Sequence, residues 1–178
     1  MPLRKSVISC FCCIALAACA RAPGALVVRS ASIDAGTLSA HLEWQPDASV
    51  LEALDHGIAL DFVVTVQAQA AGVFGWRRNL AVQQRHLQLR YFPLSRQYQL
   101  RDLDHGEARS YAARALALAA LEDLRLPLPD WNALGAQQFR LEVALDRDTL
   151  PGALRLPALL RPAWRLSSGE YVWPAPAG

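Results

Sequence analysis

The run Ile58-Ala59-Leu60-Asp61-Phe62-Val63-Val64-Thr65-Val66-Gln67 decides how the rest of the chain is read. Ile58, Leu60, Phe62, Val64 and Val66 alternate with Asp61, Thr65 and Gln67, the two-residue period of a strand with one face buried. Five consecutive residues of the ten, Phe62 to Val66, are aromatic or β-branched, which suits a pleated surface. A helix would scatter these side chains around its circumference. The stretch therefore predicts a central strand.

Two further strands follow from it. Leu80–Tyr91 and Arg96–Leu103 flank Pro93-Leu94 and read as an antiparallel pair. Leu87, Leu89 and Tyr91 are expected to share an inner face with Tyr98 and Leu100. His86, Gln88 and Arg90 are expected to share the outer face with Gln97, Gln99 and Arg101, as a one-sided antiparallel sheet requires. Upstream, Leu26 to Ile33 predicts a strand and Asp34-Ala35-Gly36 a turn. Leu38, Ala40, Leu42 and Trp44 then point one way from a second strand. Pro46-Asp47 opens a short helix, with Ser49 and Glu52 at capping-box spacing and Gly57 placed as its left-handed stop.

Downstream, one longer helix is predicted over Ser110–Leu124, with an apolar stripe of Ala113, Leu116, Ala117, Ala120, Leu121 and Leu124. After Pro127-Leu128-Pro129, Phe139, Leu141, Val143 and Leu145 alternate as another strand. Pro151, Pro157 and Pro162 predict an extended, loop-rich tail, and Glu170 to Trp173 a last short strand. The expected fold class is mainly β with one or two packed helices (α+β): an antiparallel sheet, read as an open β-sandwich.

The first residues carry a different signal. Arg4 and Lys5 form a positive start, Ser6 to Ala18 an uncharged apolar run, too short for a spanning helix of about 20 residues. Leu16-Ala17-Ala18-Cys19 resembles a bacterial lipobox, in which small residues admit the signal peptidase and the thiol receives the lipid. On this reading residues 1–18 are a signal peptide, 19–24 a lipidated start and tether, and 25–178 a single domain. Acyl chains on Cys19 would anchor the protein to a membrane, since each buried methylene contributes about 0.8 kcal/mol. Ala15-Leu16-Ala17 and Ala18-Cys19-Ala20 also satisfy the ordinary signal peptidase, so plain secretion into the periplasm stands beside lipidation. Ala20 is not the aspartate that retains lipoproteins in the inner membrane of enteric-type bacteria, which favours the outer membrane.

Composition narrows the function classes. Of 18 basic residues, Arg4 and Lys5 belong to the leader, leaving 16 against 16 acidic. A neutral body speaks against nucleic-acid binding, which needs surplus cations to displace counterions. All four cysteines, Cys10, Cys12, Cys13 and Cys19, precede the body, so it has no disulfide, thiolate metal site or cysteine nucleophile. Lys5 is the only lysine, and the arginine bias follows GC-rich coding more simply than it follows a binding surface.

Four stretches bear a resemblance: Ala53-Leu54-Asp55-His56-Gly57-Ile58, the run Leu89 to Tyr98, Leu145 to Pro151, and Ser167 to Trp173. In them the chain resembles the proteobacterial domain-of-unknown-function family 4390. The resemblance implies an exported protein. It also implies an accessory of envelope signalling, because genes of this kind neighbour a sensor kinase of nitrogen-regulation type. It carries over no catalytic residue, and the lipobox departs from the plain apolar leader of such proteins.

Candidate chemistry is sparse. His41, His56, His86 and His105 show no helical metal pair spacing. Asp102, Asp104, His105 and Glu107 could ligate a metal, but Asp-His-Gly is ordinary turn chemistry, which is the preferred reading. No metal or other cofactor is expected. Ser167-Ser168-Gly169 lacks the glycines of a nucleophile elbow, no phosphate loop occurs, and Glu122-Asp123 should point apart. Trp76-Arg77-Arg78 is the most suggestive feature. As an exposed tip it would contact a membrane or a protein partner. The burial habit of tryptophan favours the alternative, with Trp76 starting the next strand and packing inward. The expectation is a non-enzymatic envelope lipoprotein that binds a protein partner, with a small or lipidic ligand as the second reading.

Overall fold

The computed structural model describes residues 25–72, 76–129, 131 and 134–175. Nine strands and three helices follow in the order β1 (Leu26–Asp34), β2 (Thr37–Trp44), α1 (Ala48–Asp55), β3 (Leu60–Ala71), β4 (Arg77–Phe92), β5 (Gln97–Asp102), β6 (Ala108–Tyr111), α2 (Arg114–Glu122), β7 (Asp123–Pro127), β8 (Gln138–Leu145), α3 (Gly152–Leu160) and β9 (Tyr171–Pro174). They form two antiparallel sheets, a six-stranded β6-β5-β4-β3-β8-β9 and a three-stranded β1-β2-β7. The α+β expectation is met.

The opening run is the centre of the larger sheet. Leu60, Phe62, Val64, Val66 and Ala68 are fully buried, and β3 is paired along its length by β4 on one side and β8 on the other. Leu38, Leu42 and Trp44 of β2 bury against this face, with the Trp44 ring edge-on to Phe62 at 5.4 Å. One apolar core therefore lies between the sheets. The β4–β5 pair has the predicted faces: Leu89 opposes Leu100 and Tyr91 opposes Tyr98, while Gln88 opposes Arg101.

Local chemistry sets the turns. The β1–β2 turn places both Ala35 (φ 46°) and Gly36 (φ 70°) in the left-handed region, the geometry that matches the twist of a two-residue hairpin. At α1 the cap is Asp47 rather than Ser49. The Asp47 carboxylate accepts the Ser49 amide at 2.9 Å and the Ser49 hydroxyl at 2.7 Å, so the serine supports the cap instead of forming it. Those bonds hold the Asp47 carboxyl below its ordinary pKa. Gly57 (φ 81°) ends the helix, with Gly57 N bonded to Leu54 O and Ile58 N to Ala53 O, a Schellman stop.

Two expectations are corrected. The helix foreseen over Ser110–Leu124 is cut at both ends by strands: Ser110 and Tyr111 pair with β5, and Asp123 and Leu124 pair with β2. Ala117 and Leu121 face the core as foreseen, whereas Leu116 is 57% exposed and Leu118 packs in its place. The two short strands fix the rotation of α2, which overrides its own apolar period. The proline-rich tail also folds, into α3 and a 3-10 turn at Pro162–Trp164. Pro151 serves as the N-cap and Pro157 lies inside α3, where tertiary packing of Ala158 against the core offsets the missing amide bond.

The sandwich has two distinct ends. At one, Gln45 N bonds Ala25 O, Trp44 meets Phe62, and Asp146 N bonds Asp61 O. Gly57 packs there against the Tyr91 carbonyl and Pro93, so the end of α1, the β4–β5 turn and the segment after β8 gather beside Ala25. At the other end Leu128 N bonds Gly36 O, and Trp131 stacks at 6.2 Å on Phe139, the partner of Ala68. The β3–β4 hairpin projects from this second end, where Gly72 N bonds Trp76 O.

Candidate functional site

Three places concentrate polar or exposed chemistry. The first is buried. Arg85 continues the inner alternation of Leu89 and Leu87, so its side chain enters the core side of the sheet opposite Val64 and is only 8% exposed. Its Nη2 donates to Pro127 O at 2.7 Å and its Nη1 lies 2.8 Å from the His105 ring nitrogens. Arginine only donates, so His105 must offer a lone pair. Nδ1 lies 3.1 Å from Asp102 Oδ2, which accepts. The consistent tautomer therefore has its proton on Nδ1 and accepts Arg85 at Nε2. Both ring nitrogens are engaged. Arg85 Nε has no partner among the described residues.

Beside this relay lies a cavity of about 90 Å³ lined by Leu87, Leu100, Asp102, Arg109, Asp123 and Leu126, among others. Small-molecule sites usually offer about 300–1,000 Å³, so this space holds waters more readily than a ligand. The Asp102 carboxylate also accepts the amides of Asp104 (2.9 Å) and His105 (3.1 Å), and Asp104 accepts His86 N at 2.7 Å. Burial tends to raise the Asp104 carboxyl, but the His86 amide and imidazole and the nearby Arg85 charge together hold it below the ordinary range. These residues build the β5–β6 turn, as the sequence suggested. Among the described residues no group of three or more His, Asp or Glu is set to hold a metal ion.

The second place is a strut. Asp55 on α1 accepts Tyr98 Oη at 2.8 Å and the Arg114 guanidinium, tying α1, β5 and α2 together. Burial, then the bond to Asp55, pushes the Tyr98 phenol up to about 12. The remaining sequence candidates disperse. His41 pairs with Asp123 at 2.7 Å and His56 with Glu52 O at 2.8 Å. Glu122 and Asp123 do point apart, Glu122 accepting Trp44 N at 3.1 Å. Ser168 Oγ accepts Val143 N, and Ser167 Oγ donates to Glu142.

The third place is the hairpin tip. Trp76 is 78% exposed, and Arg77 and Arg78 beside it are exposed as well. The expectation of an inward-packed indole is not met, because the β3–β4 pairing starts at Arg77 and leaves Trp76 outside the ladder. Leu16, Ala17, Ala18 and Cys19 lie outside the described residues. No described helix is long and apolar enough to cross a membrane. Sequence reading missed Arg85. Extending the alternation of Leu89 and Leu87 by one step would have found it.

Two antiparallel sheets with packed helices, and an exposed tryptophan at one hairpin tip, define the class of protein as a two-sheet α+β domain. The chain belongs to the family described as "Domain of unknown function (DUF4390)", whose model matches residues 26–174, from the start of β1 to the end of β9. No curated protein and no solved structure matches it.

Proposed function

We propose that the protein is an exported, lipid-anchored accessory of the bacterial cell envelope that acts by binding a protein partner rather than by catalysis. The observation that carries this reading is the placement of Trp76. An indole ring exposed beside two exposed arginines is the composition of a binding hot spot. It projects from the end of the sandwich opposite Ala25, the residue that follows the tether. A tether of six residues reaches at most about 20 Å, so a domain anchored through Cys19 presents Trp76 away from its own membrane and toward a partner, such as the periplasmic part of a sensor kinase. The engagement of both His105 nitrogens supports a non-catalytic role, since an imidazole without a free lone pair is no general base.

A photo-crosslinking residue at position 76 in the full chain, produced in its native cells, tests this. One discrete adduct is expected, absent with the crosslinker at Leu116 and lost in the Arg77→Ser/Arg78→Ser variant. Equal adducts at both positions, or none, would overturn it. Acyl labelling abolished by Cys19→Ala is expected; unchanged labelling refutes the anchor separately.

A further inference from the structure

The end of the sandwich beside Ala25 carries an unpartnered apolar surface. The helix α3 buries Ala158 and packs Leu154 inward, yet its opposite side presents Leu156 (70% exposed), Leu159 and Leu160 (79% exposed). Leu94, at the tip of the β4–β5 turn, is fully exposed on the same end. Leucines on both faces of a nine-residue surface helix leave an exposed apolar patch of the kind that marks an interaction surface. Residues 151–166 contain Arg155, Arg161 and Arg165 and no acidic residue. Arg155 and Arg165 donate to the carbonyls of Leu150 and Leu159, with no carboxylate partner among the described residues. Next to α3 an open cleft of about 420 Å³ is lined by Arg147, Arg165, Ser167 and Leu159.

Leucines flanked by guanidiniums, with a cationic cleft at their edge, are the chemistry of a helix lying in a membrane interface, where acyl chains take the leucines and lipid phosphates the arginines. The position of the tether selects this occupant. The chain leaves the described domain at Ala25 on this same end, and six residues keep that end within about 20 Å of any surface holding Cys19. We infer that α3, with Leu94 and the Arg147–Arg165 cleft, is a membrane-contact face for anionic phospholipid, which orients the domain on the bilayer that anchors it. The inference rests on the exported, anchored reading for its orientation, but the affinity of the face for lipid does not need the anchor.

The test therefore uses a chain beginning at Ala20, which keeps all nine described strands and lacks the proposed lipid site. It is sedimented with vesicles of phosphatidylglycerol and phosphatidylethanolamine, and separately with phosphatidylcholine vesicles. Binding to the anionic vesicles is expected, weakened by salt and absent from phosphatidylcholine. Leu156→Ser/Leu160→Ser should reduce it at least about tenfold, as loss of two leucines inserted into lipid implies, while Leu116→Ser on the exposed side of α2 leaves it unchanged. An unchanged thermal melt of the double serine variant excludes unfolding as the cause. Equal binding by parent and double variant would overturn the inference, as would concentration-dependent dimerisation of the parent that the serines abolish, which would assign the face to a second copy. Vesicle binding without acylation of Cys19 in the full chain would leave this face standing and remove the anchor; acylation without vesicle binding would do the reverse.

Discussion

Arg85 and His105 meet at 2.8 Å on the core side of the large sheet, joining the middle of β4 to the β5–β6 turn. The guanidinium is held by neutral acceptors, the imidazole and Pro127 O, with the Asp102 carboxylate one bond further away. A buried charge in this state is sensitive to which partner is removed.

His105→Ala should destabilise the protein by about 2–3 kcal/mol in urea unfolding, because a charged donor loses its acceptor while buried. Arg85→Met should cost less, since an apolar side chain of similar length needs no acceptor. The double variant should resemble Arg85→Met alone. Additive losses would show that the two residues act independently.

Burial and the bond to Asp55 push the Tyr98 phenol up to about 12 in the folded state, from an ordinary value of about 10. The unfolded chain releases this proton first, so the contribution of Tyr98 is complete below about pH 10 and lost as pH rises toward 12. Tyr98→Phe should remove that alkaline loss and cost about 1 kcal/mol at neutral pH through the missing bond to Asp55. Unfolding midpoints measured from pH 8 to 12, together with phenolate absorbance, check both.

Asp104 behaves oppositely. Its depressed pKa means that its stabilising effect is present above the ordinary carboxylate range and fades as pH falls through the folded value. Asp104→Asn should therefore lower stability at neutral pH and flatten the acid limb of the pH–stability curve. A wild-type acid limb in the variant would show that the His86–Asp104 pairing contributes nothing.

The rotation of α2 is open to a paired test. Leu121→Ala should cost about 2–4 kcal/mol, as truncation of a buried leucine does. Leu116→Lys should change stability by less than about 0.5 kcal/mol. Chemical denaturation of both variants separates the observed face from the stripe that α2's own period suggests.

Ala35 holds a left-handed conformation without the tolerance of glycine or asparagine. Ala35→Asn should stabilise the β1–β2 turn by about 0.5–1 kcal/mol, since Asn-Gly is the preferred pair for this turn. A lowered thermal midpoint would refute it.

The strands were legible because burial on one face imposes a period of two, and Phe62, Leu89 and Leu141 satisfy it against long partners. The ends of α2 were not, because Tyr111 and Leu124 pair with strands distant in sequence, and local periodicity carries no record of those partners. Pro157 misled for a related reason: one missing amide bond is a local penalty, whereas the packing of Ala158 and Trp164 that offsets it is tertiary. At the candidate site, a charged residue in the inner register, Arg85, was passed over because patterning looks for apolar side chains. Trp76 defeated a composition habit, since its exposure depends on where the ladder with β3 begins.

The length of β4 acquires a meaning from what stands at its two ends. Its sixteen residues run from beside Trp76 to beside Leu94, and at about 3.3 Å per residue the strand measures roughly 50 Å. On the proposed seating of α3 on lipid, β4 would be a spacer between that face and Trp76. The length of that strand would then set the height above the bilayer at which the proposed partner meets Trp76.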